Sequence, residues 1–161
     1  EVWFAQKAIG AILSPFDSWL LMRSLKTLKV RIEAAQKNTL KLIEFFKNHK
    51  AVEKVYFPTE ENNKGKKIHE SQATGGGAVF SFVLKDENKV KPFFDNLKVA
   101  LSAASLGGVE TLVTHPHTIT HAEMPEDEKN ARGITKSLIR VAVGIEHIDD
   151  LIEDFKNALE K

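Results

Sequence analysis

The sequence contains no cysteine, and its positive and negative charges nearly balance. Without cysteine there is no disulfide framework, no thiolate nucleophile and no thiolate metal site. The 23 basic and 22 acidic residues give a formal net charge of +1, which provides no electrostatic basis for binding nucleic acid or an anionic membrane. No apolar run approaches the roughly 20 residues that span a bilayer, and the N-terminus lacks the features of a signal peptide. These absences favour a cytoplasmic protein that binds neither membranes nor nucleic acids.

The chain has enough apolar sequence for a packed domain. Hydrophobic residues make up 42% of its 161 positions, which suits one domain of ordinary size and argues against global disorder. The first residue is Glu1 and not methionine, and Val2, Trp3 and Phe4 follow directly. We therefore expect the chain to be a segment of a longer protein.

A long amphipathic helix is predicted near the N-terminus. Ser14 and Pro15 form a helix-start signal, with the serine as N-cap and the proline at the first helical position. The pattern continues to about Lys47. Apolar residues recur at spacings of three and four along one predicted face: Leu21, Leu25, Leu28, Ile32, Ala35, Thr39, Leu42 and Phe46.

The rest of the sequence alternates between predicted strands, helices and loops. Strands are predicted at 52–57, 78–84, 99–103, 111–114 and 137–143, helices at 86–97 and 149–159, and loops at 59–71 and 116–133, the second with one helical turn at 125–128. Separate runs of strands and helices predict an α+β fold, in which helices cover a mostly antiparallel sheet.

The most informative residue is Arg140, which interrupts an apolar, β-branched strand. A buried guanidinium requires an anionic partner, because an unpaired buried charge is costly. Its planar fork suits a carboxylate bound in a bidentate manner. The sequence leaves two partners open, namely an internal glutamate or the carboxylate of a ligand.

A glycine-containing loop follows Ser105. Gly107 and Gly108 allow positive φ and close approach of the backbone to a ligand, and free N–H groups in such a turn can bind an anion. The same residues also suit an ordinary tight loop between strands, so both interpretations stand.

Other chemistry is weakly indicated. His115, His117 and His121 cluster in sequence, but their spacing does not match one helical face and Pro116 interrupts regular structure, so no metal site is expected. No lysine lies in an apolar motif that favours Schiff-base chemistry. The residues alone therefore predict a carboxylate-binding arginine and no visible nucleophile or proton shuttle.

Several ordered motifs give the chain a clear resemblance to a known family. The motifs are SPFD at 14–17, RSLKTL at 23–28 with Arg31, SLGGVETL at 105–112, HP at 115–116, TH at 120–121, ARGI at 131–134 and LIRVAVGIE at 138–146. Together they resemble the C-terminal domain of the pyridoxal-phosphate-dependent enzymes of cysteine and methionine metabolism, which include cystathionine gamma-synthase, the cystathionine gamma- and beta-lyases and methionine gamma-lyase.

The resemblance implies roles for four residues. Arg140 would bind the α-carboxylate of a sulfur-containing amino-acid substrate, and Ser105 would help to hold that carboxylate. Thr120 and Leu106 would contribute to the same substrate pocket. The implied cofactor is pyridoxal 5'-phosphate.

The resemblance also implies a domain organisation. Residues 1–14 would be the end of the large cofactor domain or a linker, and 15–161 would be the C-terminal substrate-side domain of a fold-type-I enzyme. The Schiff-base lysine, the other catalytic groups and the cofactor-binding residues would lie in the preceding domain, so this chain alone would be inactive. The family commonly forms homotetramers.

The reaction within the family stays open at the sequence level. Family synthases and gamma-lyases that act on cystathionine often carry a glutamate immediately before the serine of this motif, where this chain has Ala104. This difference leaves beta-lyase, methionine gamma-lyase or sulfhydrylase activity open, while the sequence from Gly107 to Glu110 resembles the cystathionine branch.

Two non-catalytic hypotheses are also open. A free-standing amino-acid-binding or regulatory α+β module would bind a ligand through Arg140. A purely structural oligomerisation domain would pair Arg140 internally, with Glu110 as one possible partner.

Overall fold

The computed structural model describes residues 1–61 and 63–161. The α-helices in these ranges are α1 Val2–Ile9, α2 Pro15–Leu25, α3 Leu28–Asn48, α4 Lys66–Gln72, α5 Val90–Asn96, α6 Glu126–Ala131 and α7 Ile148–Glu160. The strands are β1 Val52–Tyr56, β2 Val79–Leu84, β3 Leu101–Ser102, β4 Leu112–Thr114 and β5 Leu138–Ala142. None of the described helices has the length and apolar character required to cross a membrane.

The chain divides into two compact units, residues 1–31 and 32–161. In the first unit, Ser14 caps α2 as predicted, because its Oγ accepts a hydrogen bond from the Asp17 backbone N–H at 3.1 Å. The sequence analysis missed α1. Its end carries a recognisable signal, since Gly10 adopts φ +73° at the C-cap position.

The prediction of one continuous helix from Pro15 to about Lys47 is wrong, because the structure has two helices in this range. The helix is interrupted between α2 and α3, where the Lys26 and Thr27 N–H groups donate to carbonyls three residues earlier. Arg31 stabilises the break, because its Nη2 donates to the Ser24 carbonyl at 3.1 Å and its Nε donates to Thr27 Oγ1 at 3.2 Å. These bonds satisfy carbonyl and hydroxyl groups at the end of α2 and permit a new helix start.

Only the second half of the predicted apolar face is buried. Ala35, Thr39, Leu42 and Phe46 lie in the core, as the periodicity predicts. Leu21, Leu25, Leu28 and Ile32 are exposed. No residue of α1 or α2 is buried.

The second unit contains a five-stranded sheet in the order β1-β2-β5-β4-β3. The β1·β2, β2·β5 and β5·β4 pairs are antiparallel, and β3 and β4 are parallel. The register of β1 shifts between Val52 and Lys54. The predicted α+β class with a mostly antiparallel sheet is therefore confirmed.

Aromatic packing fills the core between the sheet and the helices. Phe46 on α3 lies 4.3 Å from Phe82, 5.4 Å from Phe80 and 5.2 Å from Phe155 of α7, measured between ring centroids. Phe93 of α5 contacts Phe82 and Phe155 at 5.6 Å and 6.2 Å. The alternating burial of β2 and β5 places their core residues on this one face of the sheet.

The remaining predictions differ from the structure mainly at short elements. The loop predicted at 59–71 contains α4, and the single turn predicted at 125–128 is the start of α6. Asp86 starts the next helical segment as predicted, but that segment begins with a 3-10 turn at Glu87–Lys89. The predicted strand at 99–103 is reduced to the two residues of β3.

Candidate functional site

Arg140 lies at the centre of β5, on the sheet face opposite the phenylalanine core. Directly paired residues on neighbouring strands point to the same face, so Ser81 of β2 and Thr114 of β4 share this face with Arg140. The sequence neighbours Ile139 and Val141 are fully buried in the core. The strand alternation therefore directs the guanidinium away from the core, into a row of polar side chains.

The guanidinium is held by two neutral oxygens, both at Nη2. Its Nη2 donates to the Ser105 carbonyl at 3.0 Å and to Thr114 Oγ1 at 3.2 Å. Its Nε is buried and has no hydrogen-bond partner. A buried donor without an acceptor costs about 1–3 kcal/mol. The group is thus held in place with one donor unsatisfied.

No carboxylate among the described residues forms an ion pair with Arg140, whose two acceptors are a carbonyl and a hydroxyl. The hypothesis of internal pairing with Glu110 is therefore wrong. Of the two partners left open by the sequence, an internal glutamate is not the one in this structure. An external carboxylate remains the partner that the fork geometry suits.

Thr114 connects three strands at this point. Its side chain is fully buried. Its hydroxyl donates to the Ala103 carbonyl just after β3 and accepts from Arg140 on β5. One hydroxyl therefore satisfies a backbone carbonyl and also fixes the guanidinium.

The Ser105 loop reaches the site through its backbone. Ser105 and Leu106 are exposed, the latter at 57%. Gly107 has φ +81°, which confirms the predicted need for glycine at this position. A Cβ on Gly108 would lie 2.3 Å from the Glu110 carboxylate. The roles of Ser105 and Leu106 in substrate binding stay predictions.

The far end of this loop is fixed by Glu146. Its carboxylate accepts hydrogen bonds from the Thr111 N–H and, at 2.8 Å, from the Thr111 hydroxyl. That hydroxyl also accepts from the Gly144 N–H at 2.9 Å. Asn38 of α3 donates to the carbonyls of Gly144 and Glu146 at 3.3 and 2.9 Å. The segment after β5 and the start of β4 are thus tied together.

Thr120 lies apart from this cluster. Its hydroxyl contacts Nδ1 of the neighbouring His121 at 2.9 Å, and no contact joins it to Arg140 in the described structure. It lines a surface depression with Ile119 and Met124. Its assignment to the substrate pocket stays a prediction that these contacts do not support.

A separate cavity of about 550 Å³ lies beside α5 and the 115–119 segment. His115 and His117 line it, with ring centroids 6.0 Å apart. The Nδ1 of His115 accepts from the Thr118 hydroxyl at 2.8 Å and its Nε2 donates to the Lys136 carbonyl at 2.9 Å, the tautomer that a carbonyl acceptor requires. Burial lowers the pKa of His115 from its usual 6.5.

His117 lies next to a small ionic network. Its Nε2 is 3.1 Å from Glu126, and the buried Lys129 is 3.3 Å from the same carboxylate. The hydrogen bond from His117, followed by that from Lys129, lowers the pKa of Glu126. In the described residues, no three or more His, Cys, Asp or Glu side chains are arranged to hold a metal ion.

Comparison with known proteins identifies the family. The profile of the Cys/Met metabolism PLP-dependent enzymes matches residues 1–160. The chain belongs to this family. The resemblance stated from the sequence motifs is thereby confirmed.

Individual members of the family include both lyases and synthases. The chain is 45% identical over 161 residues to a cystathionine beta-lyase of Bacillus subtilis (strain 168), covering 100% of this chain and 41% of that protein. It is 44% identical over 160 residues to a cystathionine gamma-lyase of the same organism, covering 99% of this chain and 42% of that protein. The chain thus spans about two fifths of the length of these relatives.

A solved family structure supports the fold assignment. A cystathionine gamma-synthase from Xanthomonas oryzae pv. oryzae, in complex with aminoacrylate and cysteine, superposes with a TM-score of 0.91 at 39% identity. The match covers 99% of this chain and 41% of that chain. The expected fold-type-I relationship is confirmed by this likeness.

The Arg140 site contains residues that the sequence analysis did not single out. Thr114, Glu146 and Asn38 each fix part of the Arg140 site, although none belongs to a recognisable catalytic pattern. Thr114 had a detectable signal, because it is a hydroxyl residue in a short apolar strand. Glu146 and Asn38 act across 35 and 108 residues respectively, so their contacts depend on the assembled fold.

Proposed function

We propose that this chain is the substrate-side domain of a pyridoxal-phosphate-dependent trans-sulfuration enzyme. The reaction is a β- or γ-elimination or replacement on cystathionine or another sulfur-containing amino acid. The observation that carries the proposal is the partly buried guanidinium of Arg140, which is held by two neutral oxygens and which no internal carboxylate neutralises. Family membership supplies the class of chemistry.

In this proposal Arg140 binds the α-carboxylate of the substrate. A carboxylate that approaches the accessible end of the guanidinium would accept from N–H groups that these two oxygens do not use, and would neutralise the charge. The Ser105 carbonyl and the Thr114 hydroxyl hold Nη2 and thereby fix the orientation of the guanidinium. Arg140 thus orients the amino acid, and the exposed Ser105 and Leu106 border the same position.

The donors of Arg140 suit a carboxylate. Bound pyridoxal phosphate acts as an electron sink for carbanion chemistry. We assign its Schiff-base lysine and phosphate ligands to the remaining part of the full-length protein. Residues 1–14 would then join that cofactor domain to the substrate-side domain at 15–161.

For the whole enzyme we propose a class of reactions and an assembly, and not a single reaction. Relatives named as beta-lyase, gamma-lyase and gamma-synthase match at 45%, 44% and 39% identity, a narrow range that favours no single reaction. We propose a cytoplasmic homotetramer for the whole enzyme, following the family resemblance. The alternative of a free-standing amino-acid-binding module is less well supported, because the relatives of this chain carry the matching segment within longer enzymes.

The proposal is tested in the full-length protein with Arg140→Ala. The variant should raise the KM for L-cystathionine roughly 10- to 100-fold, because a charge-assisted interaction worth about 1.5–3 kcal/mol is lost. Arg132→Ala is the matched control, since the Arg132 side chain is 62% exposed and its ion pair in the described structure is with Glu128, four residues earlier. An unchanged KM for L-cystathionine, L-methionine and L-cysteine in Arg140→Ala would disprove the carboxylate role.

A further inference from the structure

Asp154 is a buried carboxylate with an unusual set of partners. It lies on α7, is 5% exposed and accepts hydrogen bonds from three successive backbone N–H groups. Lys98 donates to Oδ1 at 2.8 Å, while Val99 and Ala100 donate to Oδ2 at 3.1 and 2.9 Å. Hydrogen bonds to an ionised acceptor are stronger than neutral ones, so this contact fixes the 98–100 segment firmly to α7.

The fixed segment leads directly into the Arg140 site. β3 begins at Leu101, the Ala103 carbonyl accepts from Thr114, and the Ser105 carbonyl accepts from Arg140. Only four residues lie between Ala100 and Ser105. The position of the Ser105 carbonyl therefore depends on where 98–100 is anchored.

β3 alone is a weak anchor for this segment. It has two residues and lies at the edge of the described sheet beside β4, to which it is joined by Leu101 N–H to the Thr111 carbonyl at 2.9 Å and by Ala103 N–H to the Val113 carbonyl at 3.1 Å. The other end of the Ser105 loop is fixed separately, by Glu146 at Thr111. At the β3 end, Asp154 fixes the segment before the strand, and the Thr114 hydroxyl contacts the Ala103 carbonyl just after it.

We infer that Asp154 is a positioning residue for substrate binding, which sets the Ser105 loop against Arg140 so that the guanidinium meets the substrate carboxylate in the correct orientation. This inference rests on the proposed function of Arg140. Asp154 does not touch the substrate and acts through the 98–105 backbone. A misplacement of about 1 Å in a binding group can cost about 100-fold in rate, so a distant anchor of this kind has a measurable effect.

The test uses the full-length holoenzyme and Asp154→Asn. The amide has one acceptor oxygen, and its NH2 group would face N–H donors where the carboxylate now accepts. Asp150→Asn is the matched control, because Asp150 lies on the same helix and is exposed. Inhibition constants are measured by competition with L-cystathionine turnover, for L-methionine and for the amine that lacks only its carboxyl group.

Asp154→Asn should raise the inhibition constant of methionine about tenfold and that of the amine less than about twofold. In an Arg140→Ala background, the same substitution should have little further effect on methionine, because the group it positions is gone. Asp150→Asn should change neither constant. Equal losses for the two inhibitors, or full additivity with Arg140→Ala, would overturn the inference.

Two further outcomes are distinguishable. If Arg140→Ala itself leaves methionine inhibition unchanged, the proposed function fails and the inference fails with it. If Asp154→Asn does not yield folded protein, Asp154→Glu provides the same comparison, because it keeps both acceptor oxygens but moves them by one methylene. It should give a smaller loss with the same selectivity for methionine over the amine, and an unselective loss would overturn the inference.

Discussion

Thr114 and Arg140 are directly paired across β4 and β5, and the buried threonine hydroxyl accepts a hydrogen bond from the arginine Nη2 at 3.2 Å. The same hydroxyl donates to the Ala103 carbonyl. Its position explains how a charged side chain is held on a sheet without an internal carboxylate. The pair also makes the site sensitive to the loss of one oxygen atom.

Thr114→Val should lower the free energy of unfolding by about 1–3 kcal/mol, because the Ala103 carbonyl and an Arg140 donor lose their partner in a buried place. In the full-length enzyme the KM for L-cystathionine should rise as well. Chemical denaturation and steady-state kinetics measure the two effects. Thr114→Ser is the control, since it keeps the hydroxyl, and an equal rise in KM for both variants would contradict the proposed role of the oxygen.

Gly144 directly follows the last residues of the apolar β5 run, and a side chain there would collide with the backbone. A Cβ on Gly144 would lie 2.2 Å from the Val109 carbonyl oxygen, whereas a Cβ on Gly108 would meet only the flexible end of the Glu110 side chain. We expect Gly144→Ala to destabilise the protein by more than about 1 kcal/mol and more than Gly108→Ala does. Thermal unfolding of both variants tests the order, and a more stable Gly144→Ala variant would show that the backbone relaxes freely.

Phe46 is the centre of the aromatic core. Phe46→Ala should cost about 3–5 kcal/mol of unfolding free energy, because it removes ring contacts with the sheet and with α7. Leu40→Ala on the same helix should change stability by about 0.5 kcal/mol or less, because Leu40 is 52% exposed. Denaturant titrations compare the two, and similar costs would contradict the assigned core.

His115 should make the free energy of unfolding depend on pH. Burial lowers its pKa below 6.5 in the folded protein, so the unfolded chain binds more protons in the pH window between the lowered pKa and 6.5. The free energy of unfolding therefore decreases as the pH falls through this window. His115→Gln removes the titrating group and should flatten this part of the pH dependence of unfolding free energy.

The matched control for this prediction is His147→Gln, because the His147 side chain is 69% exposed. It should leave the pH dependence close to that of the parent protein. Below pH 6.5, the free energy of unfolding should decrease more steeply with falling pH in the parent protein than in His115→Gln. Equal slopes would refute the prediction.

The sequence predicted the elements whose periodicity is long and whose interior is apolar. β2, β5 and α7 lie within about two residues of their predicted bounds, because their apolar residues pack into one core. The helix break at Lys26 was not predictable from periodicity, since the apolar spacing continues through it while the Arg31 hydrogen bonds favour the break. α4 lacks buried residues, so no apolar pattern marks it.

The site was predictable only in part. Arg140 is conspicuous as the one charge in an apolar strand, and the need for positive φ at Gly107 follows from residue type. The partners of Arg140 depend on strand register, which brings Thr114 beside it across 26 residues. Asp154 is similarly hidden, because it looks like one more charge on an amphipathic helix until its three backbone donors are placed around it.

The two edges of the sheet have a consequence for aggregation. An open, regular edge strand is a template for pairing with a second chain, and short, bulged or lysine-bearing edges oppose such pairing. Here one edge is the two-residue β3, and the other is β1, whose register shifts beside Lys54. The most apolar strand, β2, is enclosed between β1 and β5. The order of strands thus keeps the segment most prone to intermolecular β-pairing away from both open edges.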